Sequence, residues 1–288
     1  MNPQGKPVGW LALIVLTLVW GTTFPFIKIA VNSIGFAWYV ALRFSLASLI
    51  LAPIAVLKKR RELLDSVKYG AVLGILFFGG ITLQGLGMEY TAASNAGFIT
   101  GLSVVMVYAI EVLLGREKPS IRLSTAVLLS VAGLYLLSAS DTIHFNIGDL
   151  IVLAGAVFWA LQVIAVGTYS RQASLIPLLF YEGFFTALGG LTLAVPTGIP
   201  AASSLMAAAY AIAYLAVFCT IVANTLQLYG QRFVKNVDAA LIYLLEPVFA
   251  ALFSHLILGE EMGLRRLAGA AAIVGAMAVS STRQPSKH

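Results

Sequence analysis

Long apolar runs of roughly 20 residues, separated by short polar or glycine-rich connections, dominate the chain. A run of that length carries a helix across about 30 Å of hydrocarbon. Lipid offers the backbone no hydrogen bonds, so such runs must be helices or strands of a closed barrel. Strict alternation of apolar and polar residues is absent, and the pattern predicts helices. Spans are expected near 9–30, 36–57, 68–88, 95–115, 121–138, 148–170, 175–195, 204–230, 237–258 and 264–281. The connections leave no room for a separate soluble domain. The expected fold class is an all-α membrane protein with ten transmembrane helices.

Composition sharpens this picture. Hydrophobic residues make up 60% of the 288 positions and charged residues 10%, against about 25% charged in a soluble domain. The mean hydropathy is +0.93. The net charge is +6, which in a soluble protein would suggest nucleic acid. Here the bases sit in the connections, so they read as a topology signal. The expected partners are the lipid bilayer and a small-molecule substrate, with no nucleic acid and no cofactor. Cys219 is the single cysteine and lies in an apolar run, where it reads as a core residue. His144, His255 and His288 are scattered without metal-ligand spacing. The first apolar run lacks a small-x-small cleavage site and reads as a retained helix.

Lysine and arginine set the direction. With a cytoplasmic N-terminus the inner side holds Lys6, Lys58, Lys59, Arg60, Arg61, Lys68, Arg116, Lys118, Arg122, Arg171, Arg232, Lys235, Arg283 and Lys287, which is 14 of the 18. The outer side holds only Arg265 and Arg266, and Lys28 and Arg43 lie within spans. Ten spans then put both termini in the cytoplasm of a cell whose inner (plasma) membrane the chain crosses.

The two halves repeat. Thr82-Leu83-Gln84 recurs as Thr225-Leu226-Gln227 at an offset of 143, which also pairs Gly87 with Gly230, Ala96 with Ala239, Ile99 with Ile242 and Leu102 with Leu245. An offset of 139 pairs Trp20 with Trp159 and Arg43 with Glu182. The units expected are 1–140 and 141–288. Five spans is an odd number, so the second unit enters the membrane from the opposite side. Inverted repeats are a recurring plan of secondary transporters, whose central site opens to each face in turn.

Particular residues then point to a family. Leu244-Leu245-Glu246-Pro247-Val248-Phe249-Ala250-Ala251, followed by Leu258-Gly259-Glu260, resembles the signature of EamA-type transporters of the drug/metabolite transporter superfamily. Trp20-Gly21-Thr22-Thr23-Phe24 resembles the family's opening-helix motif, and Arg43-Phe44 its second-helix arginine. The resemblance spans the chain. It implies the EamA fold and export of amino acids or related metabolites through a central cavity, as in the YddG-like members. One departure stands out. The family often carries a proline in the fourth helix, where this chain has Val104 in place of a mate for Pro247. The first half is therefore expected to lack that kink.

Ionisable groups deep in lipid cost several kcal/mol or more, so each needs a reason. Glu246 lies near mid-membrane, where it reads as a substrate-amine or proton site, or as a packing carboxyl. Arg43 and Glu182 occupy equivalent places in opposite halves. They read as gates or charge anchors for a zwitterion, or as structural ends, at depths that disfavour pairing with each other. Gln84 and Gln227 could bond a ligand or bridge helices. Trp20, Thr23, Trp159, Gln162 and Tyr243 suit a cavity wall, and aromatics also suit packing. Asn95 and Asp238 begin helices and read as N-caps. Lys28 reads as a snorkelling end, and Glu111 and His255 as end anchors. Gly70/Gly74, Gly97/Gly101 and Ala268/Ala272/Ala276 allow close helix contact and a possible homodimer face.

No enzyme motif and no metal site emerge, and without a phosphate loop no ATPase subunit is implied. The leading function is therefore metabolite export. A multispecific drug or cation efflux transporter is the alternative; sugar-phosphate exchange and an intramembrane enzyme or sensor rank below both.

Overall fold

A computed structural model describes residues 5–91, 93–138, 146–258 and 263–281. His144, Gly259, Glu260, Arg283, Lys287 and His288, and the side chain of Asn95, lie outside the described residues. Among the described residues all regular structure is helical. The helices are α1 (Lys6–Gly21), α2 (Thr23–Val56), α3 (Arg60–Gly87), α4 (Ala93–Gly101), α5 (Ser103–Leu113), α6 (Ile121–Ser138), α7 (Ile147–Tyr169), α8 (Leu175–Ala194), α9 (Ala202–Ala216), α10 (Ala223–Gly230), α11 (Asn236–Tyr243), α12 (Leu245–Leu258) and α13 (Leu264–Ser281). A π-helical segment, Val217–Val222, joins α9 to α10.

Seven stretches are long and apolar enough to cross a membrane: Pro25–Val56, Arg60–Gly87, Ala96–Leu113, Ile147–Tyr169, Leu175–Thr197, Ala202–Gly230 and Asn236–Phe253. Lys6–Gly21 and Ile121–Leu137 are apolar but shorter. Leu49, Ile75, Leu128 and Val274 point outward from these helices, as suits side chains facing hydrocarbon.

Local chemistry sets the ends and turns. Gly35 has φ 77° inside α2, a conformation that only glycine adopts freely, and the chain turns sharply there. Asn146 and Asp149 form a capping box at the start of α7. The Asn146 side chain accepts from the Asp149 N–H at 3.2 Å, and Asp149 Oδ2 accepts from the Asn146 N–H at 2.9 Å. Asp149 Oδ1 also accepts from Thr91 Oγ1 at 2.6 Å, which ties the end of α3 to α7.

Interruptions fall in the middle of several runs. Thr22 separates α1 from α2. Its Oγ1 donates to the Val19 carbonyl at 2.7 Å and shares a 2.7 Å hydrogen bond with the Tyr214 hydroxyl on α9. Leu244 separates α11 from α12, and Leu102 separates α4 from α5. The break at Leu102 corrects the expectation that the first half lacks one, so Pro247 is not the sole cause of such breaks. Asp238 is also corrected. Lys235 is the N-cap of α11 and makes no side-chain cap bond, and Asp238 lies one turn inside.

Packing runs mainly between elements distant in sequence: α2 against α8 and α9, α3 against α7 and α8, α1 against α10 and α12, α4 against α7, and α6 against α13. Glycine brings three of these crossings to backbone contact. A Cβ on Gly9 would lie 3.0 Å from the Gly230 carbonyl oxygen, one on Gly148 2.6 Å from that of Gly87, and one on Gly133 2.7 Å from that of Gly269. Gly70 packs on Tyr181 and Gly74 on Phe185 and the Glu182 carbonyl, whereas a Cβ on Gly97 would meet nothing.

Candidate functional site

Arg43 reaches inward from α2 and is almost fully buried. Its Nε donates to Thr220 Oγ1 at 2.8 Å, its Nη1 to the Tyr39 hydroxyl at 2.6 Å and its Nη2 to the Cys219 carbonyl at 2.8 Å. The π-helical turn makes this possible. A widened turn disturbs the regular ladder, and here the Cys219 carbonyl accepts from the guanidinium. Thr220 Oγ1 meanwhile donates to the Leu215 carbonyl at 3.0 Å. The guanidinium carbon lies 5.1 Å from the Phe44 ring centre. Among the described residues no carboxylate forms an ion pair with Arg43, but Glu246 lies within its electrostatic reach.

Glu182 on α8 is fully buried. Its Oε1 accepts from Gln162 Nε2 at 3.1 Å, and its Oε2 has no partner. The amides of Gln162 and Gln227 bond each other reciprocally at 3.3 and 3.2 Å. A second polar string follows on α10 and α11. Tyr243 donates to Gln231 Oε1 at 2.9 Å, and Gln231 Nε2 donates to the Val163 carbonyl and to Asn236 Oδ1. Asn236 Nδ2 donates to Glu111 Oε1 at 3.1 Å, and Arg116 lies 3.8 Å from that oxygen.

Glu246 differs from both buried charges, because the residue is only half-buried. The break at Leu244 places it in the first turn of α12. A carboxylate is favoured there by the partial positive charge of the helix N-terminus. Pro247 also fits a first turn, where its missing N–H would have no partner anyway. Trp20 and Tyr243 are likewise partly open, and their ring centres are 5.6 Å apart. Thr23 Oγ1 donates to the Trp20 carbonyl at 2.6 Å. Gly21 packs against Phe249 of α12, so the end of α1 and the start of α12 lie side by side.

Two consecutive stretches, 7–139 and 146–282, match the EamA-like transporter family. The chain belongs to that family. It is 34% identical to an uncharacterized transporter of Archaeoglobus fulgidus over 95% of this chain and 85% of that one. An uncharacterized inner membrane transporter of Salmonella typhimurium, YicL, is 29% identical over 73% of this chain and 70% of its own length. A chloroplastic WAT1-related protein of Arabidopsis thaliana is 26% identical over 93% and 68%. A solved crystal structure shares the fold, with TM-score 0.78 at 17% identity over 96% of this chain and 97% of that chain. The chain is thus a multi-pass membrane protein of a transporter family.

In this EamA-family transporter the sequence-derived candidates fall into groups. Gln162, Glu182 and Gln227 form one buried cluster. Arg43 and Glu246 are in electrostatic range, and Trp20, Thr23 and Tyr243 lie around the α1 break. Trp159 stands apart, edge-on to Phe77 at 4.9 Å with its indole N–H unpartnered. Gln84 is partly open on α3 beside Gly155. Lys28 is exposed on α2. Sequence reasoning missed Tyr39, Thr220 and the Cys219 carbonyl. A tyrosine one helical turn before Arg43 was the one available signal; nothing in Val217–Val222 marks a π-turn.

Proposed function

We propose that this transporter exports small zwitterionic metabolites, amino acids foremost, by alternating access of a central site between two inverted five-helix halves, 1–140 and 141–288. The observation that carries this reading is the juxtaposition of opposite charges at the level of the broken helices. The guanidinium of Arg43 and the carboxylate of Glu246, a residue only half-buried, are in electrostatic range, and they suit the carboxylate and the amine of one solute. The half-helix start at Glu246 repeats a device by which transporters build sites at the bilayer midplane.

Symmetric packing supports the repeat. The offset of 139 carries Gly9 onto Gly148, and that of 143 carries Gly87 onto Gly230, so one close crossing maps onto the other. Exchange of the halves likewise maps α1 on α10 to α7 on α3, α2 on α9 to α8 on α3, and α1 on α12 to α7 on α5. Ten spans, cytoplasmic termini and an inner-membrane location complete the proposal. The excess of Lys and Arg in every second connection supports them.

Purified protein in liposomes with labelled amino acids tests it. Saturable flux is expected, and Glu246→Gln is expected to lower it by about 10- to 100-fold with unfolding unchanged, the worth of one charge-assisted hydrogen bond. Folded protein with no saturable flux of any amino acid overturns that substrate class. A second reading, efflux of organic cations, is favoured by the partly open Trp20 and Tyr243 rings near that carboxylate. Dye efflux abolished by Glu246→Gln in the absence of amino acid flux selects it.

A further inference from the structure

A second site lies away from the central one. A cavity of about 660 Å³ opens where the end of α2, the start of α3, the α7–α8 connection and the α10–α11 connection meet. Lys58, Arg171 and Arg232 line it with a single acid, Glu62. Glu62 Oε2 is already engaged, accepting from Ser174 Oγ at 2.6 Å.

The two arginines are held in place by backbone. Arg171 donates to the carbonyls of Gln231, Arg232 and Val234, with Nη2 to Gln231 at 2.9 Å. Arg232 reciprocates, donating to the carbonyls of Ser170 at 2.6 Å and Ala173 at 3.0 Å. Each thereby caps the connection that carries the other. Carbonyls fix a guanidinium but do not neutralise it. Among the described residues, no carboxylate forms an ion pair with Lys58, Arg171 or Arg232, and Nη1 of each arginine donates to nothing. Partial burial pulls both arginines below the ordinary guanidinium value, against an upward pull on Arg171 from the Glu111 carboxylate, which is outside the cavity lining, and they stay charged at neutral pH. An independent sign comes from Ser170. It lines the same cavity and is fully buried, and its hydroxyl has no partner.

We propose that this cavity binds a phosphate-bearing anion, with the two Nη1 groups, the Lys58 ammonium and the Ser170 hydroxyl as its donors. Two pre-positioned guanidiniums, an ammonium beside them and a spare hydroxyl match the oxygens of one phosphate group. The same chemistry has two sources, the headgroup of an anionic phospholipid in the adjoining leaflet and soluble phosphate. Basic pockets between helices at this level are suited to lipid headgroups.

Full-length protein in neutral detergent tests the site without any need for transport. Intact-complex mass spectrometry and thermal unfolding are read with phosphatidylglycerol, phosphatidylcholine and inorganic phosphate, at matched ionic strength in chloride. Phosphatidylglycerol is expected to stay bound and raise the melting temperature above phosphatidylcholine. Inorganic phosphate raising it instead assigns the site to the soluble source. Lys58→Ala and Ser170→Ala remove donors that hold no part of the fold. Lys58→Ala is expected to weaken binding about fivefold, and Ser170→Ala by roughly two- to tenfold. Equal retention of the two lipids with no response to phosphate overturns the proposal. So does unchanged binding in the double variant.

Discussion

Arg43 and Glu182 occupy matching places in the two proposed halves and have opposite fates. Arg43 spends its guanidinium on two hydroxyls and one carbonyl, all within 2.8 Å. Glu182 has one oxygen bonded to an amide and the other bonded to nothing. In the proposed repeat the two residues share a place, carry opposite charge and have different neighbours. On the arginine side a helix distorted into a π-turn to supply acceptors. On the glutamate side two glutamines paired with each other and left one donor over. The two proposed halves thus match in their close glycine crossings and differ in their buried polar chemistry.

The strongest way to break this comparison is Arg43→Ala. It leaves Thr220, Tyr39 and the Cys219 carbonyl facing a void without their cationic donor. The expected loss is about 3–5 kcal/mol, from the cavity left by a large buried side chain and three buried acceptors left without their donor. Thermal or denaturant unfolding in detergent reads it. A loss under about 1 kcal/mol would mean that the π-turn holds without the arginine.

Gln162→Leu is the matching blow on the other side. It removes the sole side-chain donor to Glu182 among the described residues and the partner of Gln227. About 1.5–3 kcal/mol is expected, the worth of a hydrogen bond to a charged group with its partner left buried. The double variant Gln162→Leu/Glu182→Leu is expected to recover part of that loss, because the acceptor leaves with the donor. No recovery would place the cost in the Gln227 amide instead.

Much of this architecture could be read from the chain. Apolar runs announce membrane helices because lipid punishes every unpaired peptide group. The shared offsets of Trp20 with Trp159 and Gln84 with Gln227 carry the proposed duplication. Deep charges such as Arg43, Glu182 and Glu246 stand out because their cost singles them out. The remainder depends on tertiary packing. Val104 gave no hint of the break at Leu102, since that break needs no proline. Asp238 looked like a helix start, yet the helix begins three residues earlier at Lys235 with no side-chain cap. Two of the three partners of Arg43, Thr220 and the Cys219 carbonyl, lie 177 and 176 positions away, beyond any local pattern.

The glycine crossings sharpen the comparison further. Gly148→Ala drives a methyl to 2.6 Å from a carbonyl oxygen of Gly87, and Gly9→Ala brings one to 3.0 Å of Gly230 and 2.9 Å of the Phe233 side chain. Overpacking costs about 1–3 kcal/mol. Gly148→Ala is expected at the upper end of that range and Gly9→Ala at the lower end, because its crossing starts wider. Equal losses in unfolding would mean that the first crossing cannot yield either.

The smallest effect separates a broken helix from its unbroken mate. Thr22 ends α1, whereas the residue 139 positions on, Leu161, lies inside the continuous α7. Thr22→Leu installs the mate's side chain and removes the hydroxyl that bridges the Val19 carbonyl and Tyr214. About 0.5–1.5 kcal/mol is expected, the ordinary net worth of a hydrogen bond. Tyr214→Phe is expected to cost about the same, and the pair together no more than either alone, because they share one bond. Additive losses would show that Thr22 acts on the backbone break itself, and the asymmetry between α1 and α7 would then rest on that single hydroxyl.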